Sequence, residues 1–189
     1  ELIGSLAVTE PDGGSDVAAL RTRAVRDGDE YVVDGAKTFI TSGGRADFVT
    51  TAVRTDGPGA RGVSLLVVEK PGFTVTRRLA KMGWLCSDTA ELGYAGVRVP
   101  AANLVGDEGT GFGAIMRQFV TERLALAVHA YAVADRALAL TKAWTQERTT
   151  FGAPLASRQA VVHRLVEMHQ RVELARTEGI VLRYLASAY

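Results

Sequence analysis

Glu122 is the residue of this sequence best suited to moving a proton. Ile115, Phe119, Glu122 and Leu126 follow one another at spacings of four, three and four, so on a helix the carboxylate shares an apolar stripe. Its neighbours at i−4, i+3 and i+4 are Gln118, Ala125 and Leu126, and none offers a charge for a helical ion pair. A carboxylate that faces an apolar pocket is harder to ionise, which makes it a better base near neutral pH. The same spacing fits a glutamate that pairs with a group elsewhere in the protein, and the residues alone leave both readings open.

Three further clusters could hold a ligand. Val8-Thr9-Glu10-Pro11-Asp12-Gly13-Gly14-Ser15-Asp16 joins two glycines, which permit close backbone approach, to the hydroxyls of Thr9 and Ser15. It also fits an ordinary β-turn. Gly35 to Gly44 contains Phe39, Ile40 and Thr41 ahead of Gly43-Gly44, a set that could wall a planar ring, although aromatic residues in strands are mostly core. Arg148, Thr150, Phe151, Gly152 and Gln159 lie together. An arginine there could fork onto phosphate oxygens or simply complement a helix dipole. His129, His163 and His169 have no metal-ligand spacing among themselves, so no metal is expected.

These residues must be positioned by two kinds of element. Up to about residue 105, runs such as Glu30 to Gly35, Asp47 to Val53, Val63 to Glu69, Phe73 to Arg77 and Glu91 to Val99 read as short strands between Gly, Pro and Asp turns. Their spacing predicts an antiparallel sandwich or barrel. From 106 onward the chain is rich in helix formers, with no proline between Gly111 and Arg148. Such a helix would run on the order of 50 Å, a length normal for a bundle. A break at Thr149 to Pro154 precedes a second helix, with Ser157 as its expected N-cap. The inward face of that helix is Val161, Leu165, Met168 and Val172. The expected class is therefore α+β, with a β domain over 1–105 and helices of an incomplete four-helix bundle over 106–189.

A net charge of +1 gives no general attraction to nucleic acid. The lone Cys86 excludes an internal disulfide framework, and no apolar run is read as spanning a bilayer. Because the chain starts without Met and ends within apparent helix, we expect a piece of a longer protein.

Taken in order, the clusters resemble the acyl-CoA dehydrogenase family. The matching features are Thr9-Glu10-Pro11 with Gly14-Ser15-Asp16, Lys37 to Thr41 with Gly43-Gly44, Met82-Gly83 with Ser87-Asp88-Thr89, and Arg148 with Thr150-Phe151-Gly152 and Gln159. Val97 to Pro100, Asn103-Leu104 and Gly109 to Phe112 are similar to the link into the family's C-terminal helices. Phe39 departs from the Trp more frequent at its position, a conservative change for stacking.

The resemblance implies FAD held by the loop Leu6 to Ser15, with Val8 and Thr9 near the flavin and Gly14 and Ser15 near its phosphates. It implies that Phe39, Ile40 and Thr41 line the flavin ring. Arg148, Thr150, Phe151 and Gln159 would reach the FAD of a neighbouring subunit in a homodimer or homotetramer. Glu122 would be the base, as in members like the isovaleryl-CoA and long-chain acyl-CoA enzymes, and Arg123 and Ser15 would help bind the acyl-CoA substrate. The implied reaction is α,β-desaturation: the base takes the α-proton while the β-hydrogen leaves as hydride to flavin N5. An electron-transferring flavoprotein would then accept the electrons. The expected compartment is the cytoplasm, or the mitochondrial matrix in a eukaryote. By itself the chain is expected to hold little FAD and to be inactive. An acyl-CoA oxidase, a flavin-dependent monooxygenase of the same fold and a non-catalytic acyl-CoA-binding paralogue are the alternatives.

Overall fold

The structure, a computed structural model, describes the backbone of residues 1–187 and the side chains of residues 1–179. Strand-forming runs bounded by turn residues give seven strands: β1 (Gly4–Ala7), β2 (Arg23–Asp27), β3 (Glu30–Thr41), β4 (Phe48–Arg54), β5 (Val63–Glu69), β6 (Thr74–Arg78) and β7 (Thr89–Pro100). They form one sheet in the order β1-β4-β2-β3-β7-β6, with β5 on the other side of β4. The sheet curls into a half-barrel, and the architecture is mixed α+β, as expected.

Most pairings are antiparallel, with two departures. β1 runs parallel to β4 from Gly4↔Phe48 to Ala7↔Thr51, and β2 meets the end of the same strand in parallel at Arg23↔Arg54. β4 therefore shares one edge between two strands that the sequence reading did not pick out. β2 and β3 form a hairpin through Gly28, as the Asp-Gly pair predicts. Alternation along the strands sends Tyr31 and Val33 of β3, Val49 and Val53 of β4, and Leu92 of β7 into a common core. Within it, Thr51 Oγ1 and Tyr94 Oη share a hydrogen bond of 2.9 Å, so these two buried hydroxyls satisfy each other.

β3 carries two register irregularities against β7, one between Val33 and Gly35 and one between Lys37 and Ile40. At the first, Gly35 has φ +150°, and a Cβ there would meet Thr22 Oγ1 at 2.5 Å. Glycine alone lets the two segments approach so closely.

The chain divides into two compact units, Glu1–Met116 and Arg117–Tyr189. The sequence reading placed the boundary near 105, whereas the first turn of the following helix belongs to the β unit, where Ile115 is buried. That helix, α1 (Gly111–Glu147), is 37 residues long. A hairpin follows, β8 (Thr149–Thr150) with β9 (Ala153–Pro154), and then a second helix, α2 (Gln159–Ser187). Within the helical unit α1 and α2 run antiparallel: Arg176 pairs with Asp135 at 3.3 Å, and Tyr131 packs beside Gly179. Val172 is buried and Val161 and Leu165 are half-buried, as the predicted stripe requires, while Met168 stays more open.

Two sequence expectations need correction. Ser157 does not cap α2: its hydroxyl donates to the Pro154 carbonyl at 2.7 Å and is spent on the turn before the helix. The expectation of no membrane-length apolar run also fails on α1, which is long and apolar enough to cross a bilayer by length and composition. The cause is the alanine- and leucine-rich stretch from Leu124 to Thr141, charged only at Asp135 and Arg136. A helix packed within a bundle has the same composition.

Candidate functional site

The segment from Leu6 to Ser15 leaves β1, turns sharply and is pinned from below. Glu10 and Gly13 exchange backbone hydrogen bonds of 2.9 and 3.1 Å across the turn. The Glu10 carboxylate faces inward and accepts from the Arg21 backbone N–H at 2.6 Å, the Thr22 N–H at 2.8 Å and Lys37 Nζ at 2.9 Å. Lys37 Nζ also donates to the Val8 carbonyl at 3.0 Å. Leu6 and Thr9 are half-buried, Val8 is buried, and Ser15 stands in solvent. At Gly14 a Cβ would meet the Thr9 methyl at 3.0 Å, so a larger residue there would press on the Thr9 side chain.

The Glu10–Lys37 pair is sealed from water, and its two ends respond differently. Burial is the largest influence on the Glu10 carboxyl and pushes it up. The hydrogen bond from Thr22, the Lys37 charge and the backbone N–H groups of Arg21 and Thr22 outweigh burial and hold it below its ordinary value. Lys37 has three hydrogens and two acceptors. Burial pushes its ammonium down to about 8, with Glu10 pulling only partly the other way.

Beside this loop, β3 presents an aromatic side chain outward. The Thr38 N–H donates to the Thr9 carbonyl at 2.9 Å, which joins strand and loop. The second irregularity of β3 then turns the next residue over: Phe39 takes φ +58° and is 67% exposed. A bulky residue in the left-handed region is unfavourable by itself, so the surrounding hydrogen bonds hold it there. Thr41 is exposed on the same segment, and its carbonyl accepts from Ser5 Oγ at 2.5 Å. Ile40 does not fit the expected role: it is 2% exposed and packs in the core. Alternation along the strand sends its side chain inward while Phe39 and Thr41 face out.

The Ser87-Asp88-Thr89 motif braces the end of this segment. The Ser42 N–H donates to the Asp88 carbonyl at 3.0 Å, and the Gly44 N–H donates to Asp88 Oδ2 at 2.7 Å. Arg45 pairs with the same carboxylate at 3.0 Å, and Arg78 donates to the Gly44 carbonyl at 3.0 Å. The bracing role of Asp88, like the Glu10–Lys37 pair, escaped the sequence reading. A lysine amid the apolar residues of a strand was the signal available for the pair. The partners of Asp88 lie 43, 44 and 46 positions away in sequence, and no local pattern announces them.

In the helical unit the β8–β9 hairpin turns through Phe151 and Gly152, both at positive φ, and lifts Phe151 to 99% exposure. The Arg158 guanidinium sits 5.7 Å from that ring and donates to the Thr150 carbonyl at 2.7 Å. The structure thus gathers Arg148, Thr150, Phe151 and Gln159 at one end of the helix pair. At its base the Leu155 N–H donates to the Arg148 carbonyl at 2.7 Å, while Gln159 begins α2.

Glu122 lies on α1 within the helical unit and is exposed, with Gln118 Nε2 donating to its carboxylate at 3.3 Å. Its stripe is uneven: Ile115 is buried in the β unit, Phe119 is half-buried, and Leu126 is 64% exposed. The described residues therefore do not build the apolar enclosure expected around the carboxylate. Arg123, also exposed, holds its guanidinium 5.7 Å from the Phe119 ring.

Comparison with known proteins accounts for both units. Residues 5–97 match the model of the acyl-CoA dehydrogenase middle domain, and residues 109–180 match that of the acyl-CoA dehydrogenase C-terminal domain. An acyl-CoA dehydrogenase of Bacillus subtilis is 40% identical over 177 residues, 92% of this chain and 47% of that protein. A crystal structure from Mycobacterium abscessus, of a protein itself assigned as an acyl-CoA dehydrogenase, superposes with a TM-score of 0.93 at 65% identity, covering 98% of this chain and 50% of the other. Butyryl-CoA dehydrogenase of Megasphaera elsdenii gives a TM-score of 0.89 at 35% identity, over 95% and 48% of the two chains. The chain spans about half the length of the curated relatives it matches. With both of its units matched in order to the middle and C-terminal domains, the chain belongs to the acyl-CoA dehydrogenase family.

Proposed function

We propose that this chain is the part of an FAD-dependent acyl-CoA dehydrogenase that binds flavin and thioester, and that the protein desaturates the α,β-bond of an acyl-CoA. The observation that carries this reading is the outward ledge of the β unit. An exposed aromatic ring is fixed at φ +58° next to a loop bearing Thr9 and Ser15, with one backbone hydrogen bond joining the two.

The residues present fit a flavin dinucleotide. Phe39 offers a flat apolar face, the Thr9 and Ser15 hydroxyls can donate to polar edges, and the tight turn at Gly14 keeps that backbone free of side-chain bulk. Ile40 would contribute backbone only, and Leu6 and Val8 would support the loop from within. When bound, FAD supplies the two-electron acceptor for the hydrogen leaving the β-carbon. Glu122 is the base for the α-proton in this reading. Its exposure means that the rest of the protein, or the substrate itself, provides the desolvation that strengthens it. The Arg123 guanidinium is suited to the phosphates of the CoA moiety.

The hairpin supports assembly. Phe151 is 99% exposed at the tip of the hairpin that joins Arg148 at the end of α1 to Gln159 at the start of α2, so Arg148, Thr150, Phe151 and Gln159 would act on the FAD of a second subunit in a homo-oligomer. An electron-transferring flavoprotein is the proposed acceptor of the electrons.

The test is flavin bleaching on rapid anaerobic mixing with a panel of acyl-CoAs. Glu122→Gln keeps the side-chain shape and removes the proton acceptor. FAD content should survive while bleaching slows by at least about 10²-fold, the low end of general-base catalysis. Near-normal bleaching in the variant would overturn the assignment of Glu122. Absence of bleaching by every acyl-CoA in the native protein would overturn the desaturase reading.

A further inference from the structure

We propose that Lys37 is a positioning residue: paired with Glu10, it fixes the Val8–Ser15 loop against β3 and so sets the geometry in which that loop meets the flavin. The inference rests on the reading that this loop holds FAD.

Several observations converge. Lys37 is 0% exposed although it lies in the middle of a strand, so its charge has no contact with solvent. Its two acceptors, the Val8 carbonyl and Glu10 Oε1, lie on the two sides of Thr9. The other contacts of Glu10 run to the amides of Arg21 and Thr22, which lead into β2. One buried ion pair therefore ties the exit of β1, the turn and the approach to β2 to a single point on β3. The residue after Lys37 fastens the same loop through its backbone, from the Thr38 N–H to the Thr9 carbonyl at 2.9 Å. The residue after that is Phe39, the outward ring. Loop and ring are thus located by consecutive residues of one strand, and a shift at Lys37 displaces them relative to each other.

Stability alone does not account for this arrangement. Apolar residues of similar volume commonly replace a buried ion pair without loss of stability. They could not hold the Val8 carbonyl and the Arg21 and Thr22 amides in one place, because those groups require polar partners.

The experiment uses Lys37→Met in the flavin-loaded protein. It follows hydrogen–deuterium exchange across residues 8–15 and 63–69, the FAD dissociation constant by flavin fluorescence, and the fine structure of the bound flavin's visible band. The expected result is at least 10-fold faster exchange in 8–15 with 63–69 unchanged, at least 10-fold weaker FAD binding, and loss of band structure. A residue that only supports the fold would accelerate both segments together, and that outcome, or an unchanged loop, overturns the proposal. Faster loop exchange with unaltered FAD affinity would leave the clamp in place and overturn the assignment of the loop to the flavin. Should Lys37→Met yield no folded protein, Glu10→Gln decides. It keeps the side-chain shape, removes the charge and turns one of the two oxygens that accept from Arg21, Thr22 and Lys37 into an NH2 donor, so loop exchange must rise selectively, and an unchanged loop overturns the proposal.

Discussion

The β unit gathers a set of apolar side chains into one shared core, whereas along the described part of the helical unit many of them lie exposed. Tyr31, Leu66 and Leu92 are sealed within the sheet, and so is the charged pair beneath the loop. On α1 and α2, by contrast, Leu126, Val133, Leu140, Trp144, Val166 and Leu174 all lie exposed among the described residues. One unit carries its own core. The other is a pair of long helices whose apolar faces are bare among the described residues, joined by contacts such as Arg176–Asp135. The difference separates what local sequence can specify by itself from what requires further surface to complete it. It also sets where substitutions should register.

The largest effect should come from the sealed core. Leu92→Ala should destabilise the protein by about 2–5 kcal/mol in denaturant unfolding, the usual range for a large-to-small change at a buried site. A loss below about 1 kcal/mol would mean that the core is looser than its burial indicates.

The buried charge gives the next effect, and its sign follows from linkage. The folded-state pKa of Lys37 lies near 8, below its ordinary 10.5, so between those values the unfolded chain binds the proton more tightly. Stability contributed through this group therefore rises with pH across that window. Relative to Lys37→Met, the native protein should gain on the order of 3 kcal/mol between those limits, read from paired melts. The described residues of the helical unit bury no charged side chain, so substitutions there should leave the alkaline profile alone.

Phe39→Gly tests the one strained aromatic on the ledge. Relief of the left-handed backbone should stabilise the flavin-free protein by about 0.5–1 kcal/mol, while retention of FAD on gel filtration should fall. Reduced stability would show that the ring packs on the protein rather than serving a ligand. The smallest effect belongs to the bare helix face: Leu126→Ser should change unfolding free energy by no more than about 0.5 kcal/mol. A loss comparable with that of Leu92→Ala would show Leu126 covered in the assembled protein and would break the comparison.

The two units also differ in how far the sequence disclosed them. Val63 to Glu69 reads directly as β5, with the same bounds, because its apolar run is enclosed by turn residues. β1 and β2 were missed because β1 has four residues and depends on a distant partner, β4, while β2 is Arg-Ala-Val-Arg-Asp and shows little apolar patterning although it pairs with its neighbour β3. The 37-residue α1 was plain from its composition, but what covers its faces is not written in its periodicity. At the candidate site, the motifs located the loop and the ledge. They did not reveal that Ile40 turns into the core, since that depends on strand alternation around an irregularity. Nor did they reveal that Lys37 and Glu10, 27 positions apart, meet.

The hairpin tip at Phe151 has a consequence for how fast and how firmly it can dock. Its strands close on themselves, Thr149 with Pro154 and Thr150 with Ala153, and the Arg158 guanidinium lies against the ring. The tip is therefore shaped before any encounter. Immobilising a flexible side chain at an interface ordinarily costs about 0.5–1.5 kcal/mol, and much of that ordering is already complete inside this chain. In the proposed homo-oligomer, a receiving surface would meet a tip already closed on itself instead of a loop that must first be arranged, so association would need no folding step. The lifetime of the contact then depends on how well the pocket fits the ring.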